Sequence, residues 1–198
     1  MKKLKKKNKA KDWSQIGFNP EAEREKHDYY ATPPTAIHKV MPTFKDIVKL
    51  NTNVWECACG EGHISRVLQE YGFNVKSSDL IDRGFGEVQD FLTCTTTFNG
   101  DIVTNPPFKL ADNFIRHAMT LLEKDGNKAI FLLKVQFLES KQRKSLFEEM
   151  PFKYLIVNSE RQLCAKNGEF EKYTSTAQCY CWFIFEKGYE GLPQILWV

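Results

Sequence analysis

Hydrophobic residues along this chain form two patterns, one typical of buried strands and one typical of helices. Segments with the two patterns alternate. Short apolar runs that stop at a glycine or an acid are typical of strands buried on both faces. Between them, apolar residues stand three and four positions apart, as Ile64, Val67 and Leu68 do on one face of a helix. The predicted strands and extended pieces are 53–59, 74–80, 87–91, 101–105, 128–138, 154–158 and 178–187. The predicted helices are 34–50, broken near Pro42, and 63–71, 110–124 and 141–150.

This alternation predicts an α/β fold, with a mostly parallel sheet covered by helices on both faces. The length of 198 residues suits one domain with a full hydrophobic core. We expect that domain to span residues 21–198, after a basic flexible tail over residues 1–20. The polar stretch from 159 to 176 is long and is the best candidate for a functional loop.

The basic charge of the chain is concentrated at its N-terminus. The net charge is +3, yet seven lysines lie within residues 1–11, and the remainder holds 21 basic against 25 acidic residues. Such a run is usually disordered. Two roles remain open for it: a solubilising tail, or a flexible arm that contacts nucleic-acid phosphates and adds salt-dependent affinity.

The composition is that of a soluble protein, with 42% hydrophobic and 27% charged residues. No apolar run approaches the roughly 18–20 residues of a membrane span. No apolar segment follows the basic N-terminus, as it would in a secretory signal. We therefore expect a cytoplasmic protein with no membrane partner.

Two C-x-C pairs, Cys57/Cys59 and Cys179/Cys181, raise the possibility of a zinc site with four thiolate ligands. The spacing of one residue is shorter than in such sites, and both pairs lie in apparent strands, where alternate residues share one face. Small buried thiols are the favoured interpretation, and we expect no metal.

A glycine turn follows the first long strand, in the segment Glu56-Cys57-Ala58-Cys59-Gly60-Glu61-Gly62. Glycines between a strand and a helix permit a tight turn and a close approach of the backbone to a ligand. The segment is neither a full G-x-G-x-x-G nor a triphosphate-binding G-K-[ST] motif. Glu56 could accept a bond from a ligand ammonium or pair with a nearby lysine.

Acids end the next two extended segments, where an open α/β sheet binds its ligand. Asp79 lies about twenty residues beyond the glycines, the distance at which such an acid holds ribose hydroxyls. Its alternative role is a helix N-cap or a turn. Asp90 and Phe91 could hold an adenine by hydrogen bonding and stacking, or be a surface acid beside a core phenylalanine.

The most specific motif is Asn105-Pro106-Pro107-Phe108, directly after the apolar strand 101–105. Two prolines fix the backbone and remove two donors, which leaves the Pro106 carbonyl free to accept. Asn105 adds a second acceptor, and Phe108 adds a flat aromatic face. This combination points to binding of an amine attached to an aromatic ring.

Together these motifs resemble the class I S-adenosylmethionine-dependent methyltransferases. Asn105–Phe108 is similar to the [DNS]-P-P-[FYW] motif of those that methylate adenine amines. The element Thr32-Pro33-Pro34 comes first, then the glycine turn, then Asn105–Phe108, and this order resembles the gamma-type DNA adenine methyltransferases. The similarity covers residues 28–188 and is greatest to the small stand-alone enzymes common in bacteriophages.

The resemblance implies a Rossmann-like fold with seven strands, the last of them antiparallel, and S-adenosyl-L-methionine as cofactor. It places Thr32 and Pro33 at the methionine end of the cofactor, with Glu56 and the backbone of the glycine turn (Cys57, Ala58, Cys59, Gly60 and Gly62) around the same end. Asp79 would bind the ribose, and Asp90 with Phe91 the adenine ring. Asn105, which also borders the cofactor, would bind the target amine together with Pro106; Pro107 and Phe108 complete the catalytic motif. Phe108 would stack on the target base, together with Phe170 or Tyr173.

The function implied is transfer of a methyl group to the N6 amine of adenine in DNA. Adenine in RNA and a glutamine amide in a protein are alternative acceptors, and a non-catalytic cofactor-binding subunit is a further alternative. The usual separate target-recognition domain has no room here, so specificity is expected to depend on residues 159–176 and the tail. The motifs carry no information on the target sequence or the oligomeric state.

Removal of residues 1–11 tests the role of the lysine run. If these lysines contact phosphates, the truncated chain should bind DNA more weakly, and log Kd should depend less steeply on log salt, by up to about 0.9 per lost contact. Fluorescence anisotropy over a salt series measures both quantities. An unchanged salt slope would show that the run does not contact the phosphates.

Overall fold

The computed structural model describes residues 29–166, 168–172 and 176–198. The expected tail, residues 1–20, and Tyr173 lie outside the described residues. None of the helices in the described ranges has the length and apolar character needed to cross a membrane.

One eight-stranded sheet forms the centre of the described molecule. Its strands are β2 (Asn53–Glu56), β3 (Asn74–Asp79), β4 (Glu87–Val88), β5 (Asp101–Thr104), β6 (Lys128–Lys134), β7 (Phe152–Val157), β9 (Tyr180–Glu186) and β10 (Gln194–Trp197). Across the sheet their order is β10-β7-β9-β6-β5-β2-β3-β4. The pairs along β4-β3-β2-β5-β6 are all parallel, whereas β9 lies antiparallel between β6 and β7.

The predicted fold class, a mostly parallel sheet with an antiparallel strand, is confirmed. The sheet has eight strands instead of seven, because β10 pairs in parallel with β7 beyond the last predicted strand. The antiparallel strand β9 is therefore followed by one more strand. Strand β10 is only four residues long and lies at the edge of the sheet. A segment this short shows too few alternations of apolar and polar positions to be predicted as a strand.

Helices cover both faces of this sheet. They are α1 (Pro34–Thr43), α2 (His63–Glu70), α3 (Ala111–Leu121) and α4 (Lys144–Glu149). Helices α1 and α2 pack in one hydrophobic cluster, and α3 and α4 pack in the other. Strand β6 serves both, since Phe131 and Leu133 lie in one cluster and Ile130 and Leu132 in the other. A strand buried on both faces must be apolar at every position, which explains its continuous run.

The expected break near Pro42 is confirmed, since the α-helix ends one residue beyond the proline. Helix α1 begins at Pro34, where a proline is favourable, and continues through Pro42 to Thr43. The backbone then changes to a π-helical turn over Phe44–Val48, which ends at Lys49 with φ of 57°. The proline disturbs the helix by removing one donor and crowding the preceding turn, and the pitch changes after it.

A separate two-stranded sheet lies outside the main one. Strand β1 (Tyr30–Ala31) pairs antiparallel with β8 (Ala165–Lys166), which belongs to the polar segment 159–176. Tyr30 is opposite Lys166, and Ala31 is opposite Ala165. The segment expected to be a functional loop is thus tied to the residues just before Thr32.

The π-helical turn provides a matched test of the core. Phe44 is fully buried and meets Trp182 edge to face, with ring centroids 5.3 Å apart, whereas nearby Ile47 is 48% exposed. Phe44→Ala should lower the free energy of unfolding by about 3–5 kcal/mol. Ile47→Ala should lower it by less than about 1 kcal/mol. Urea unfolding of both variants measures the difference, and equal losses would contradict this packing.

Candidate active site

A cavity of about 370 Å³ opens at the carboxyl ends of β2, β3 and β5, the edge at which parallel sheets bind ligands. The predicted residues in its wall are Thr32, Glu56, Cys57, Ala58, Cys59, Asp79, Asp90, Phe91, Asn105, Pro106, Pro107 and Phe108. Of the other predicted residues that the structure describes, Pro33, Gly60, Gly62 and Phe170 lie outside the wall. The fold therefore brings the separate sequence motifs to one place.

The glycines shape the turn by admitting aromatic side chains of the protein itself. Gly60 has φ of 55° and Gly62 has φ of 82°, both in the left-handed region where a Cβ is disfavoured. A Cβ on Gly60 would overlap the ring of Tyr29, and one on Gly62 would overlap the ring of Phe85. The close approach predicted from the glycines is made here by these two rings.

Asp79 fastens the glycine turn to the end of β3. One carboxylate oxygen accepts from the backbone N–H of Gly60 at 2.8 Å, and the other accepts from that of Ile81 at 3.0 Å. A carboxylate offers about four acceptor positions, so two remain for a ligand. Asp79 therefore stabilises the turn, which is one of the two roles expected for it. Its position in the cavity wall is also compatible with the other role, binding of a ligand.

Glu56 is buried behind the turn, with 2% of its surface exposed. Its Oε2 accepts from the backbone N–H of Ser65 at 2.7 Å and also from the Ser65 hydroxyl. Burial raises the pKa of Glu56 to about 8, against the lowering effect of these bonds. The ion pairs of the described residues include none between Glu56 and a lysine, so its observed partner is the start of α2.

Asp90 and Phe91 each have a structural partner. The Asp90 carboxylate accepts from the backbone N–H of Leu92 at 2.9 Å and caps a short 3₁₀ turn. The Phe91 ring is 2% exposed and packs against Trp55 and Phe114, with centroids 5.3 and 4.9 Å away. Phe91 therefore reaches the cavity only with a small part of its ring.

The side-chain amide of Asn105 is held at one end only. Its Nδ2 donates to the carbonyl oxygen of Tyr30 at 2.7 Å and to the Thr32 hydroxyl oxygen at 3.0 Å. Its Oδ1 is buried and has no hydrogen-bond partner in the structure. An unsatisfied buried acceptor costs about 1–3 kcal/mol. Asn105 belongs to the cavity wall, and five other buried side-chain atoms of the described residues also have no partner.

Phe108 lies beside Asn105 among other aromatic and basic groups. Its ring centroid is 5.8 Å from that of Tyr30 and 5.9 Å from that of Tyr180. The Lys134 ammonium lies over the ring, 4.7 Å from its centroid. The ammonium therefore covers one face of this partly buried ring, as in a cation–π pair.

Phe170, predicted as a stacking residue, contacts the other end of the site. Its ring meets His63 edge to face, with centroids 5.3 Å apart, at the start of α2. Phe170 therefore packs against a residue of the cavity wall and lies outside the wall itself.

Several cavity residues were not predicted. They are Tyr29, Tyr30, His63, Arg83 and Lys109 among others. The Arg83 guanidinium lies 4.1 Å from the Tyr29 ring centroid, and burial raises the pKa of Tyr29 to about 12. The tyrosine pair two residues before the Thr-Pro-Pro element was the available signal, since aromatic residues next to a ligand motif often border its pocket.

The thiols of the first C-x-C pair are buried beside the cavity. Burial raises the pKa of Cys57 well above its usual value and that of Cys59 to about 12. Neutral buried thiols of this kind are inert. In the described part of the chain, no three His, Cys, Asp or Glu side chains are grouped as metal ligands would be.

No family model and no curated protein matches this sequence. Solved structures do match in fold. A proposed RNA methyltransferase of Pyrococcus horikoshii is 14% identical with a TM-score of 0.60, over 81% of this chain and 87% of that one. The methyltransferase subunit of a type I restriction-modification system from Streptococcus thermophilus is 15% identical with a TM-score of 0.57, over 81% and 45%. A SAM-dependent O-methyltransferase of Thermotoga maritima is 13% identical with a TM-score of 0.55, over 83% and 69%.

These likenesses define the fold of the chain as that of the class I methyltransferases, as the motifs predicted. The chain spans less than half of the restriction-modification subunit that it resembles. At 13–15% identity the comparison establishes the fold alone, so activity and substrate have to be argued from the site.

Replacement of Glu56 by glutamine tests its buried environment. A carboxyl group with a raised pKa makes the folded state bind more protons than the unfolded state between about pH 4.5 and 8. The free energy of unfolding should therefore fall as pH rises through that window. In Glu56→Gln this loss, of order a few kcal/mol, should be absent.

Urea unfolding at pH 5 and pH 8.5 measures the effect, and Glu123→Gln on the exposed surface is the matched control. The control should keep the pH dependence of the wild type. If Glu56→Gln also kept it, the pKa of Glu56 would not be raised.

Proposed function

We propose that this protein transfers a methyl group from S-adenosyl-L-methionine to the N6 amine of adenine in DNA. One observation carries the proposal. Asn105 belongs to the cavity wall and has a buried oxygen without a hydrogen-bond partner, while both hydrogens of its amide nitrogen are used elsewhere. Such an oxygen selects a ligand that donates a hydrogen bond, as an exocyclic amine does.

The amine of adenine is a poor nucleophile because its lone pair is delocalised into the ring. Asn105 Oδ1 and the Pro106 carbonyl would accept its two hydrogens and favour the tetrahedral nitrogen of the transition state. No strong base is required for this step. These two hydrogen bonds would strengthen as the amine nitrogen becomes tetrahedral, and they would therefore accelerate methyl transfer. Holding the substrate in the reactive position would accelerate it further.

We infer that the cavity takes an adenosine bearing a methionine chain. Asp79 has acceptor positions free for ribose hydroxyls, and Asp90 stands further along the wall for an adenine. Glu56, whose pKa burial raises, would ionise beside the methionine ammonium, with Pro33 and the glycine turn around the same end. When bound, the cofactor supplies a methyl group on a positive sulfur.

The target base has a place beside Asn105. Phe108 would stack on the base with the face opposite Lys134, whose ammonium lies over the ring. A base in a duplex has to leave the stack to reach a pocket of this kind. Phe170 and Tyr173 remain proposed partners on the other face of the base.

RNA is the second candidate substrate. The proposed RNA methyltransferase among the similar structures favours it, while the restriction-modification subunit favours DNA. We prefer DNA because the motif order resembles the DNA enzymes. Residues 21–198 would form the catalytic domain, and the basic tail would add affinity for phosphates.

Product analysis tests the proposal. The protein is incubated with S-adenosylmethionine carrying a labelled methyl group and with DNA, RNA or protein of known sequence. Acceptors that gain label are digested, and the methylated nucleoside or amino acid is identified by mass spectrometry. The expected product is N6-methyldeoxyadenosine. If label appeared only in RNA or only in glutamine, that molecule would be the acceptor in place of DNA. If no acceptor gained label, the proposal of methyl transfer would be refuted.

Asn105→Ala tests the observation that carries the proposal. Loss of the acceptor should lower kcat by at least about 100-fold, the scale seen when one transition-state hydrogen bond is removed. The Kd for S-adenosylmethionine, measured by calorimetry, should change little. Asn113→Ala on the exposed side of α3 is the matched control and should retain full activity. Full activity in Asn105→Ala would contradict the assignment.

A further inference from the structure

The side chain of Asn105 can face the cavity with either end of its amide, and only one orientation suits the proposed reaction. With Oδ1 towards the cavity it accepts from the substrate amine. With Nδ2 towards the cavity, the hydrogens of the Asn105 amide would face the hydrogens of the substrate amine, and no hydrogen bond could form. Whatever fixes this orientation therefore controls catalysis.

We propose that Thr32 is a positioning residue that sets the orientation of the Asn105 amide. This inference rests on the proposed function. The Thr32 hydroxyl oxygen is 3.0 Å from Asn105 Nδ2, and the Tyr30 carbonyl is 2.7 Å away on the same amide nitrogen. Both donors of the nitrogen are thereby satisfied inside the protein, which leaves Oδ1 for the cavity.

A hydroxyl can accept or donate, so the acceptor role of Thr32 towards Asn105 needs a constraint. The Tyr30 carbonyl provides it, because a carbonyl oxygen only accepts and therefore selects the nitrogen at this end of the Asn105 amide. The amide nitrogen only donates, so the Thr32 oxygen accepts its second hydrogen.

The backbone holds this chain of contacts in register. Ala31 is opposite Ala165 in the β1–β8 pair, so the next residues outward, Thr32 and Cys164, also come together. Pro33 follows with φ of −65° and ψ of 139°, and helix α1 begins directly after it. Thr32 itself is 3% exposed. The hydroxyl is therefore placed by a strand pair on one side and a rigid proline on the other.

This role differs from the contact with the methionine end of the cofactor that the resemblance implies for Thr32. A residue that contacts the cofactor changes cofactor affinity. A residue that orients Asn105 changes the rate of methyl transfer and leaves cofactor affinity alone. The two roles are separable by measurement.

Thr32→Val, which keeps the shape and removes the hydroxyl, is the test variant. Loss of one hydrogen bond to Asn105 should lower kcat about tenfold. The Kd for S-adenosylmethionine should stay within about twofold of the wild type. Thr32→Ser restores the hydroxyl and should recover most of the rate. Thr120→Val on the exposed side of α3 is the control for the substitution itself and should leave kcat unchanged.

A second readout does not depend on activity. In NMR spectra, the Asn105 amide hydrogens, assigned by their disappearance in Asn105→Asp, should exchange slowly with solvent in the wild type and in Thr32→Ser. They should exchange faster in Thr32→Val. This measurement decides the inference even if the wild type methylates none of the acceptors tested, an outcome that refutes the proposed function separately.

Three results would overturn the inference. An unchanged kcat in Thr32→Val would show that the hydroxyl does not matter. A weakened cofactor Kd with normal kcat would make Thr32 a cofactor contact. Unchanged amide exchange in Thr32→Val would show that the Asn105 amide is held without Thr32.

Discussion

The site depends on how the Asn105 amide is held. The Tyr30 carbonyl and the Thr32 hydroxyl take both hydrogens of Nδ2, and the oxygen at the other end is left buried and unsatisfied. An unmet acceptor is costly in an interior, and proteins retain such groups where a ligand completes them. Strand β5 sets the position of Asn105, while β1 sets its orientation, so two distant parts of the chain define one acceptor.

The carboxylates of the cavity wall are held differently from Asn105. Glu56 and Asp79 are both occupied with the backbone, one at the start of α2 and the other at the glycine turn. They hold the loop in a fixed shape and still face the cavity. The same carboxylates thus have a structural role and a place in the wall of the cavity. Such pre-organisation is how a binding protein avoids ordering its loops at the moment of binding.

Local pattern predicted the parts of the structure that are encoded locally. Asn105–Phe108 could be recognised because the prolines follow an apolar strand directly, and the acids stand at the ends of their strands. The bond from Asn105 to Thr32 joins residues 73 positions apart, and no local signal predicts it. The close approach of the Tyr29 ring to Gly60 and the pairing of β8 with β1 are equally non-local. For Phe91 the local pattern was ambiguous, because an aromatic residue beside an acid can stack on a ligand or pack in the core. The structure shows the core packing.

A crystal structure of the protein with S-adenosylhomocysteine and a DNA oligonucleotide whose adenine is turned out of the stack tests the central claim most directly. The account predicts that the adenine N6 lies within about 3.2 Å of Asn105 Oδ1, with Nδ2 still bound to Tyr30 and Thr32. An adenine amine bound elsewhere, or an Asn105 amide turned with its nitrogen towards the base, would contradict it.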